Sequence, residues 1–87
     1  MLTRDMAIEF ASFGIRVNGL YPGGVLTPMT EALISGPEGA ALIEASCPMK
    51  RMANPEEMAR AILFLASDDA SFATGSELVV DGGLTAR

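Results

Sequence analysis

The sequence predicts an α/β fold in which two parallel strands are joined by helical crossover segments, as one domain over residues 1–87. Two short runs, residues 15–21 and 77–81, are rich in Ile, Val, Leu and Tyr, which favour β-strands. Helix-start and helix-stop signals lie between them. Strands of one sheet that are connected through helices run parallel, with a right-handed crossover.

The chain begins with a predicted amphipathic helix over residues 2–13. Leu2, Met6, Phe10 and Phe13 recur at helical spacing and form one apolar stripe. Gly14 follows at the position where a helix commonly ends.

The first predicted strand, residues 15–21, stops at a Pro-Gly-Gly turn. Pro22 restricts its own backbone, whereas Gly23 and Gly24 permit close approaches that a Cβ would prevent. Thr27 then begins the next helix. The pattern is typical of a strand that presents backbone groups to a flat or anionic ligand, and it equally suits a plain strand-to-helix turn without a ligand.

A flap of about residues 28–53 follows this turn. A Gly-Pro pair divides it into two predicted short helices, 28–35 and 38–46. Met29 and Leu33 suggest an apolar flap surface, although Met and Leu at helical spacing are also typical of core packing.

A fourth helix is predicted from Pro55 to about Ala66. Asn54 stands at the N-cap position and Glu57 at the position of a capping-box carboxylate. Apolar residues lie around much of the circumference of this helix, which predicts that more than one face is covered.

Composition and charge exclude several classes of function. The net charge is −5, and the six basic residues are scattered, so the sequence predicts no nucleic-acid partner. The unbroken apolar runs are too short to span a bilayer, which predicts no membrane partner. With no histidine and a single cysteine, Cys47, we expect no metal site and no intrachain disulfide. A reduced, cytoplasmic location follows, with Cys47 a half-buried thiol rather than a nucleophile.

The chain is also unusually apolar for its size. Hydrophobic residues make up 49% of the 87 residues. A domain this small buries only about 60–65% of its unfolded surface. Apolar surface therefore remains exposed, which predicts a homo-oligomer.

Several segments together resemble the C-terminal third of short-chain dehydrogenase/reductases of the 3-oxoacyl reductase or glucose dehydrogenase type. They are Ile15–Asn18, Pro22–Gly23 with Val25 and Thr27, Pro48 with Arg51, Pro55–Glu57, Ala70–Gly75 and Val80–Gly83. The resemblance implies a partial Rossmann unit that contains the last two strands of a doubly wound sheet.

The resemblance also implies where the ligands bind. In the family, the turn that matches Pro22, Gly23 and Val25 lies against the nicotinamide of NAD or NADP, and the residue that matches Thr27 contacts the carboxamide or the phosphates. The flap corresponds to the substrate-binding region of the family, which makes Met29 and Leu33 the candidate substrate-facing residues. Arg16, Asn18, Asp81 and the two glycines after it also match, and we interpret them as mainly structural, with Asn18 and Asp81 bonded to local backbone.

Two parts of the family pattern are absent from these 87 residues. There is no glycine-rich phosphate loop, and the single tyrosine, Tyr21, has Val25 rather than lysine four positions on. The prediction is therefore a C-terminal portion of an oxidoreductase for alcohols or carbonyls, with no catalytic residue of its own and no cofactor bound by this chain alone. The alternatives are a non-catalytic, self-associating interaction module and residual dinucleotide binding through residues 22–27.

Overall fold

The computed structural model describes residues 2–86. Four α-helices and two strands follow in the predicted order, so the α/β class is confirmed. The elements are α1 (Leu2–Phe10), a 3-10 turn (Ala11–Phe13), β1 (Gly19–Pro22), α2 (Pro28–Ile34), α3 (Pro37–Ser46), α4 (Pro55–Ala66), a 3-10 turn (Asp68–Ala70) and β2 (Glu77–Val80).

The two strands form one parallel sheet, as predicted. Gly19 lies opposite Glu77 and Pro22 lies opposite Val80. The helical connection between them leaves both carboxyl ends at the same edge of the sheet. The turn that the sequence predicted as a ligand site lies at that edge.

The first strand is shorter than predicted, because residues 15–18 run beside a loop rather than beside β2. The backbone N–H of Val17 donates to Thr74 Oγ1 at 3.1 Å, and its carbonyl accepts from the N–H of Gly75 at 2.8 Å. Strand pairing begins only where the N–H of Gly19 donates to the carbonyl of Ser76, at 2.9 Å.

The second strand ends at Val80, one residue before the predicted end, because Asp81 organises a turn. Its carboxylate accepts from the N–H groups of Gly83 at 2.9 Å and Thr85 at 3.1 Å. Gly82 and Gly83 have φ angles of 64° and 95°, which glycine adopts without strain. The expected local role of Asp81 is confirmed.

Asn18, by contrast, does not bond local backbone. Its side-chain amide donates to the carbonyl of Ala73 at 2.9 Å, and its Oδ1 accepts from the hydroxyl of Ser76 at 2.6 Å. Arg16 also bonds a distant part of the chain. Its guanidinium donates to the carbonyls of Leu65 at 2.8 Å and Ser67 at 3.1 Å. Both residues join the segment before β1 to the end of α4 and the residues that follow it.

Capping interactions explain the helix boundaries. Glu57 Oε1 accepts from the backbone N–H of Asn54 at 2.8 Å, and the N–H of Glu57 donates to the carbonyl of Asn54 at 2.9 Å. The predicted start of α4 is confirmed. Gly14 ends the first helix in the left-handed region, with φ of 74°, after a last turn that tightens to 3-10 geometry.

The core within residues 2–86 is small. Its buried hydrophobic residues are Ala7, Met58 and Ala70. The radius of gyration is 15.9 Å, whereas about 12 Å is expected for a compact domain of this length. The prediction that α4 is covered on more than one face is wrong for this chain: Leu63 is 67% exposed, since two strands cannot shield the whole helix.

Within the described residues, no helix is long and apolar enough to cross a membrane. The same residues contain no group of three or more His, Cys, Asp or Glu side chains that could hold a metal ion.

Candidate functional site

The turn after β1 is held close to the end of β2. The N–H of Gly23 donates to the carbonyl of Val80 at 3.0 Å. A Cβ at position 23 would lie 2.7 Å from the Cα of Asp81, a distance that real Cβ contacts do not show. Only glycine allows the two backbones to approach this closely at the carboxyl edge of the sheet.

The two ends of the flap are joined by main-chain hydrogen bonds that the sequence did not reveal. Val25 and Ala53 form a parallel β-bridge. The N–H of Leu26 donates to the carbonyl of Ala53 at 2.7 Å, and the N–H of Ala53 donates to the carbonyl of Gly24 at 2.9 Å. The flap therefore leaves and rejoins the fold at one fixed point beside the turn.

Thr27 is the N-cap of α2 and shares a reciprocal capping arrangement with Thr30. Thr27 Oγ1 accepts from the N–H of Thr30 at 3.2 Å, and the N–H of Thr27 donates to Thr30 Oγ1 at 2.8 Å. Thr30 Oγ1 lies 2.7 Å from the carbonyl oxygen of Val25, to which it donates. Sequence reasoning missed Thr30, although the Thr-x-x-Thr spacing matches a capping box.

The predicted site residues lie in two regions. Pro22, Gly23, Val25 and Thr27 follow one another along the turn, and its hydrogen bonds hold them together at the sheet edge. Met29 and Leu33, on α2, are 76% and 77% exposed. Their side chains are free to meet a large ligand or another part of a longer protein, and they are not core residues here.

Charges near the far end of the flap are paired. Arg51 and Glu57 form a bidentate ion pair, with Nη1–Oε1 at 2.8 Å and Nη2–Oε2 at 3.0 Å. The hydrogen bond from Arg51, followed by that from the backbone of Asn54, lowers the pKa of Glu57 to about 2. The hydrogen bond from the Thr85 hydroxyl is the main cause of a lowered pKa at Asp81. Both carboxylates therefore stay ionised at neutral pH.

The described residues bring no tyrosine and lysine together. The hydroxyl of Tyr21 donates to Glu77 Oε1 at 3.3 Å. Lys50 Nζ lies 3.6 Å from Glu44 Oε1 in an exposed ion pair. The site can offer backbone donors and acceptors, a hydroxyl-bearing helix start and apolar flap side chains.

A two-stranded parallel sheet with a glycine-containing turn held at its carboxyl edge defines an α/β unit whose turn lies where open parallel sheets bind their ligands. The chain belongs to the short-chain dehydrogenase/reductase family: residues 1–85 match a family model described as enoyl-(acyl carrier protein) reductase.

Named relatives agree with this membership. Cyclopentanol dehydrogenase of Comamonas sp. (strain NCIMB 9872) is 46% identical over 87 residues, which are 100% of this chain and 35% of that protein. D-arabinitol 2-dehydrogenase [ribulose-forming] of Candida tropicalis is 54% identical over 84 residues, 94% of this chain and 30% of that protein. The chain thus spans about a third of the length of the curated relatives it matches.

Solved structures share the fold. 4-Hydroxyisoleucine dehydrogenase complexed with NADH superposes with a TM-score of 0.91 at 38% identity, over 99% of this chain and 35% of that one. The TT0495 protein from Thermus thermophilus gives a TM-score of 0.86 at 48% identity, over 99% of this chain and 36% of that one.

Proposed function

We propose that the chain is the C-terminal portion of an NAD(P)-dependent short-chain oxidoreductase that acts on an alcohol or carbonyl substrate. Its contribution is one wall of the nicotinamide site and the substrate flap. The observation that carries this proposal is the pinned turn at residues 22–27. It emerges at the carboxyl end of β1, where ligands of open parallel sheets bind, and three main-chain hydrogen bonds, to Val80 and Ala53, hold it there.

The roles of the turn residues follow from their positions. Pro22 and Gly23 let the turn present its backbone at the sheet edge, and Val25 supplies an apolar side chain beside it. Thr27 presents a hydroxyl at a helix start. A nicotinamide carboxamide needs both hydrogen-bond donors and acceptors, which exposed backbone groups of such a turn provide. Met29 and Leu33, both exposed on α2, would face the substrate.

The cofactor class is supported by a relative, since 4-hydroxyisoleucine dehydrogenase is described as complexed with NADH. In the longer protein, we propose NAD or NADP. The isolated chain offers one wall only, so most of a dinucleotide would remain in water, and the small contact area would not offset the cost of immobilising it. We therefore propose no cofactor binding and no hydride transfer by this chain alone.

A chimera tests this role. In Comamonas cyclopentanol dehydrogenase, the segment that matches this chain is replaced by these 87 residues, and NADH formation from cyclopentanol is measured. We expect an active chimera and an inactive isolated chain. Because the transplanted flap is also proposed to contact the substrate, NADH binding to the folded chimera is measured as well, and its absence would contradict the proposed wall. An active isolated chain would contradict its dependence on the rest of the protein.

A matched pair of variants in that chimera examines the turn itself. Thr27→Val removes the hydroxyl of the candidate site, and we expect KM for NAD to rise about tenfold, the loss of about 1.4 kcal/mol. Thr85→Val removes a hydroxyl that bonds Asp81 instead, so KM should stay unchanged. Equal effects of the two substitutions would contradict the assignment of Thr27.

The second candidate is a non-catalytic, self-associating module in the cytoplasm. It is favoured by the exposed apolar faces of α1 and α4, which include Ile8 at 80% and Leu63 at 67% exposure. Both candidates predict a homo-oligomer. They differ in the chimera, because a module that has lost its chemistry would not restore dehydrogenase activity.

A further inference from the structure

The hydroxyl of Thr30 lies at the centre of a small hydrogen-bond network at the turn of residues 22–27. Its oxygen accepts from the backbone N–H of Thr27 at 2.8 Å and lies 2.7 Å from the carbonyl oxygen of Val25. Thr27 Oγ1 is 3.1 Å away, and the carbonyl oxygen of Thr27 is 3.2 Å away. One half-buried side chain of α2 therefore contacts two residues of the candidate site.

The partners of Thr30 determine the direction of its single hydroxyl proton. A hydroxyl has one proton to donate and two lone pairs that accept. The carbonyl oxygens of Val25 and Thr27 only accept, and that of Val25 is the nearer, at 2.7 Å against 3.2 Å. The carbonyl of Thr27 already accepts from the backbone N–H of Glu31 at 2.8 Å. These partners assign the proton of Thr30 to the carbonyl of Val25.

The direction of this proton also fixes the hydroxyl of Thr27. Because the proton of Thr30 is on Val25, Thr30 Oγ1 only accepts in its 3.1 Å contact with Thr27 Oγ1, and Thr27 is the donor. Thr27 Oγ1 in turn accepts from the backbone N–H of Thr30 at 3.2 Å. Among the hydrogen bonds of the described residues, this leaves one lone pair of Thr27 Oγ1 for a ligand.

A hydroxyl in this state favours one kind of ligand group. Its remaining lone pair accepts from an N–H, whereas a ligand carbonyl or carboxylate brings only lone pairs of its own. Contact between two acceptors leaves both without a donor, and unpaired acceptors are costly to bury. The turn should therefore distinguish a primary amide from a ketone of the same shape.

We propose that Thr30 is a positioning residue that makes Thr27 Oγ1 an acceptor and so selects the amide N–H of the nicotinamide over a carbonyl oxygen. Thr30 acts through Thr27 and does not itself contact the cofactor. This proposal rests on the proposed function, because it requires the turn to face the nicotinamide carboxamide.

The test compares two cofactors in the chimera of Comamonas cyclopentanol dehydrogenase that carries these 87 residues. NADH has a carboxamide, and its reduced 3-acetylpyridine analogue keeps the carbonyl but has a methyl group in place of the amide nitrogen. Isothermal titration calorimetry gives both dissociation constants. We expect the chimera to bind NADH about tenfold more tightly than the analogue, because the analogue leaves Thr27 Oγ1 without a donor. Equal binding would overturn the proposal.

Substitutions at Thr30 test its role separately. Thr30→Val removes the hydroxyl and releases the proton of Thr27, so we expect the preference for NADH to fall below about threefold. Thr30→Ser should restore the preference. The control is Thr85→Val, which removes a hydroxyl bonded to Asp81 and should keep the preference. If Thr30→Val does not fold, Thr30→Ala removes the same hydroxyl and is measured instead.

The ratio of the two dissociation constants separates positioning from a merely structural role. A structural role would weaken both cofactors equally in Thr30→Val and leave their ratio unchanged, which would contradict the proposal. Loss of the preference in Thr85→Val would contradict it as well.

The outcomes also separate this proposal from the proposed function. A folded chimera that binds neither cofactor contradicts both. A chimera that binds NADH without a preference, or that keeps its preference in Thr30→Val, contradicts the role of Thr30 alone and leaves the proposed function in place.

Discussion

The guanidinium of Arg51 binds both carboxylate oxygens of Glu57, at 2.8 and 3.0 Å. Glu57 also accepts from the backbone N–H of Asn54. Ala53, the residue before Asn54, carries the main-chain bonds to Gly24 and Leu26. The ion pair thus stabilises the segment that holds the turn at the base of the flap.

Glu57 should make stability depend on pH in the acid range. Its pKa is lowered from 4.5 to about 2 in the folded chain, so its contribution is fully present above about 4.5 and is lost as the pH falls towards 2. We expect Glu57→Gln to lower Tm at neutral pH, and the difference from wild type to shrink between those two values.

Thermal unfolding followed by circular dichroism across that pH range checks the Glu57 prediction. Glu56→Gln is the control, because Glu56 is an exposed neighbour in the same first turn of α4. A Tm difference for Glu57→Gln that stays constant down to about pH 2 would contradict the role of the ion pair.

The close approach of Gly23 to Asp81 predicts that alanine at position 23 destabilises the chain more than alanine at position 19. In Gly23→Ala the new Cβ meets the backbone of Asp81 at 2.7 Å, so the end of β1 must move, and we expect a loss of about 1–3 kcal/mol of stability. In Gly19→Ala the nearest atom is Thr3 Oγ1 at 3.4 Å, an ordinary contact. We expect urea denaturation to give different free energies of unfolding for the two variants. Equal values would show that the turn moves without cost and would contradict the prediction.

Arg16 should be more important for stability than its half-buried position suggests. Its guanidinium donates to three backbone carbonyls, those of Leu65, Ala73 and Ser67. Arg16→Met leaves these carbonyls without that partner, and we expect a loss of about 2–3 kcal/mol. Arg4→Met, on the exposed face of α1, should change the free energy of unfolding by less than about 0.5 kcal/mol. Chemical denaturation measures both, and similar losses would be evidence against the bridging role.

The exposed face of α4 predicts concentration-dependent association. Leu63→Glu places a charge on an apolar surface that is 67% exposed, and we expect the dissociation constant of the oligomer to rise at least tenfold. Ala41→Glu adds the same charge on the exposed side of α3 and serves as the control. Sedimentation velocity at micromolar concentration gives the distribution of species. A monomeric wild-type chain would refute the prediction of a homo-oligomer.

Local signals in the sequence predicted the helices well. Proline next to a capping residue marks the starts of α2 and α4, and Gly14 marks the end of the first helical segment, because these residues act through their immediate neighbours. The parallel pairing followed from connection length alone. The helix boundaries depend on short-range geometry, which the order of residues carries directly.

Features that depend on distant parts of the chain were not predictable in the same way. The bridge between Val25 and Ala53 joins two apolar residues with no distinctive motif, and Asn18 bonds a loop 55 residues away rather than its own surroundings. The sequence correctly predicted a structured turn at residues 22–27, and the ligand of this turn is still a prediction.

Because the flap leaves the fold at Leu26 and returns at Ala53 through main-chain bonds, its two helices, residues 28–46, are not needed to hold its base together. A replacement for these helices must begin and end with the same backbone geometry, and it leaves in place the bond from the N–H of Met49 to the carbonyl of Gly82. We therefore expect that helices of different length and shape can be exchanged at this position without changing the sheet, and in the proposed oxidoreductase such an exchange would change the choice of substrate.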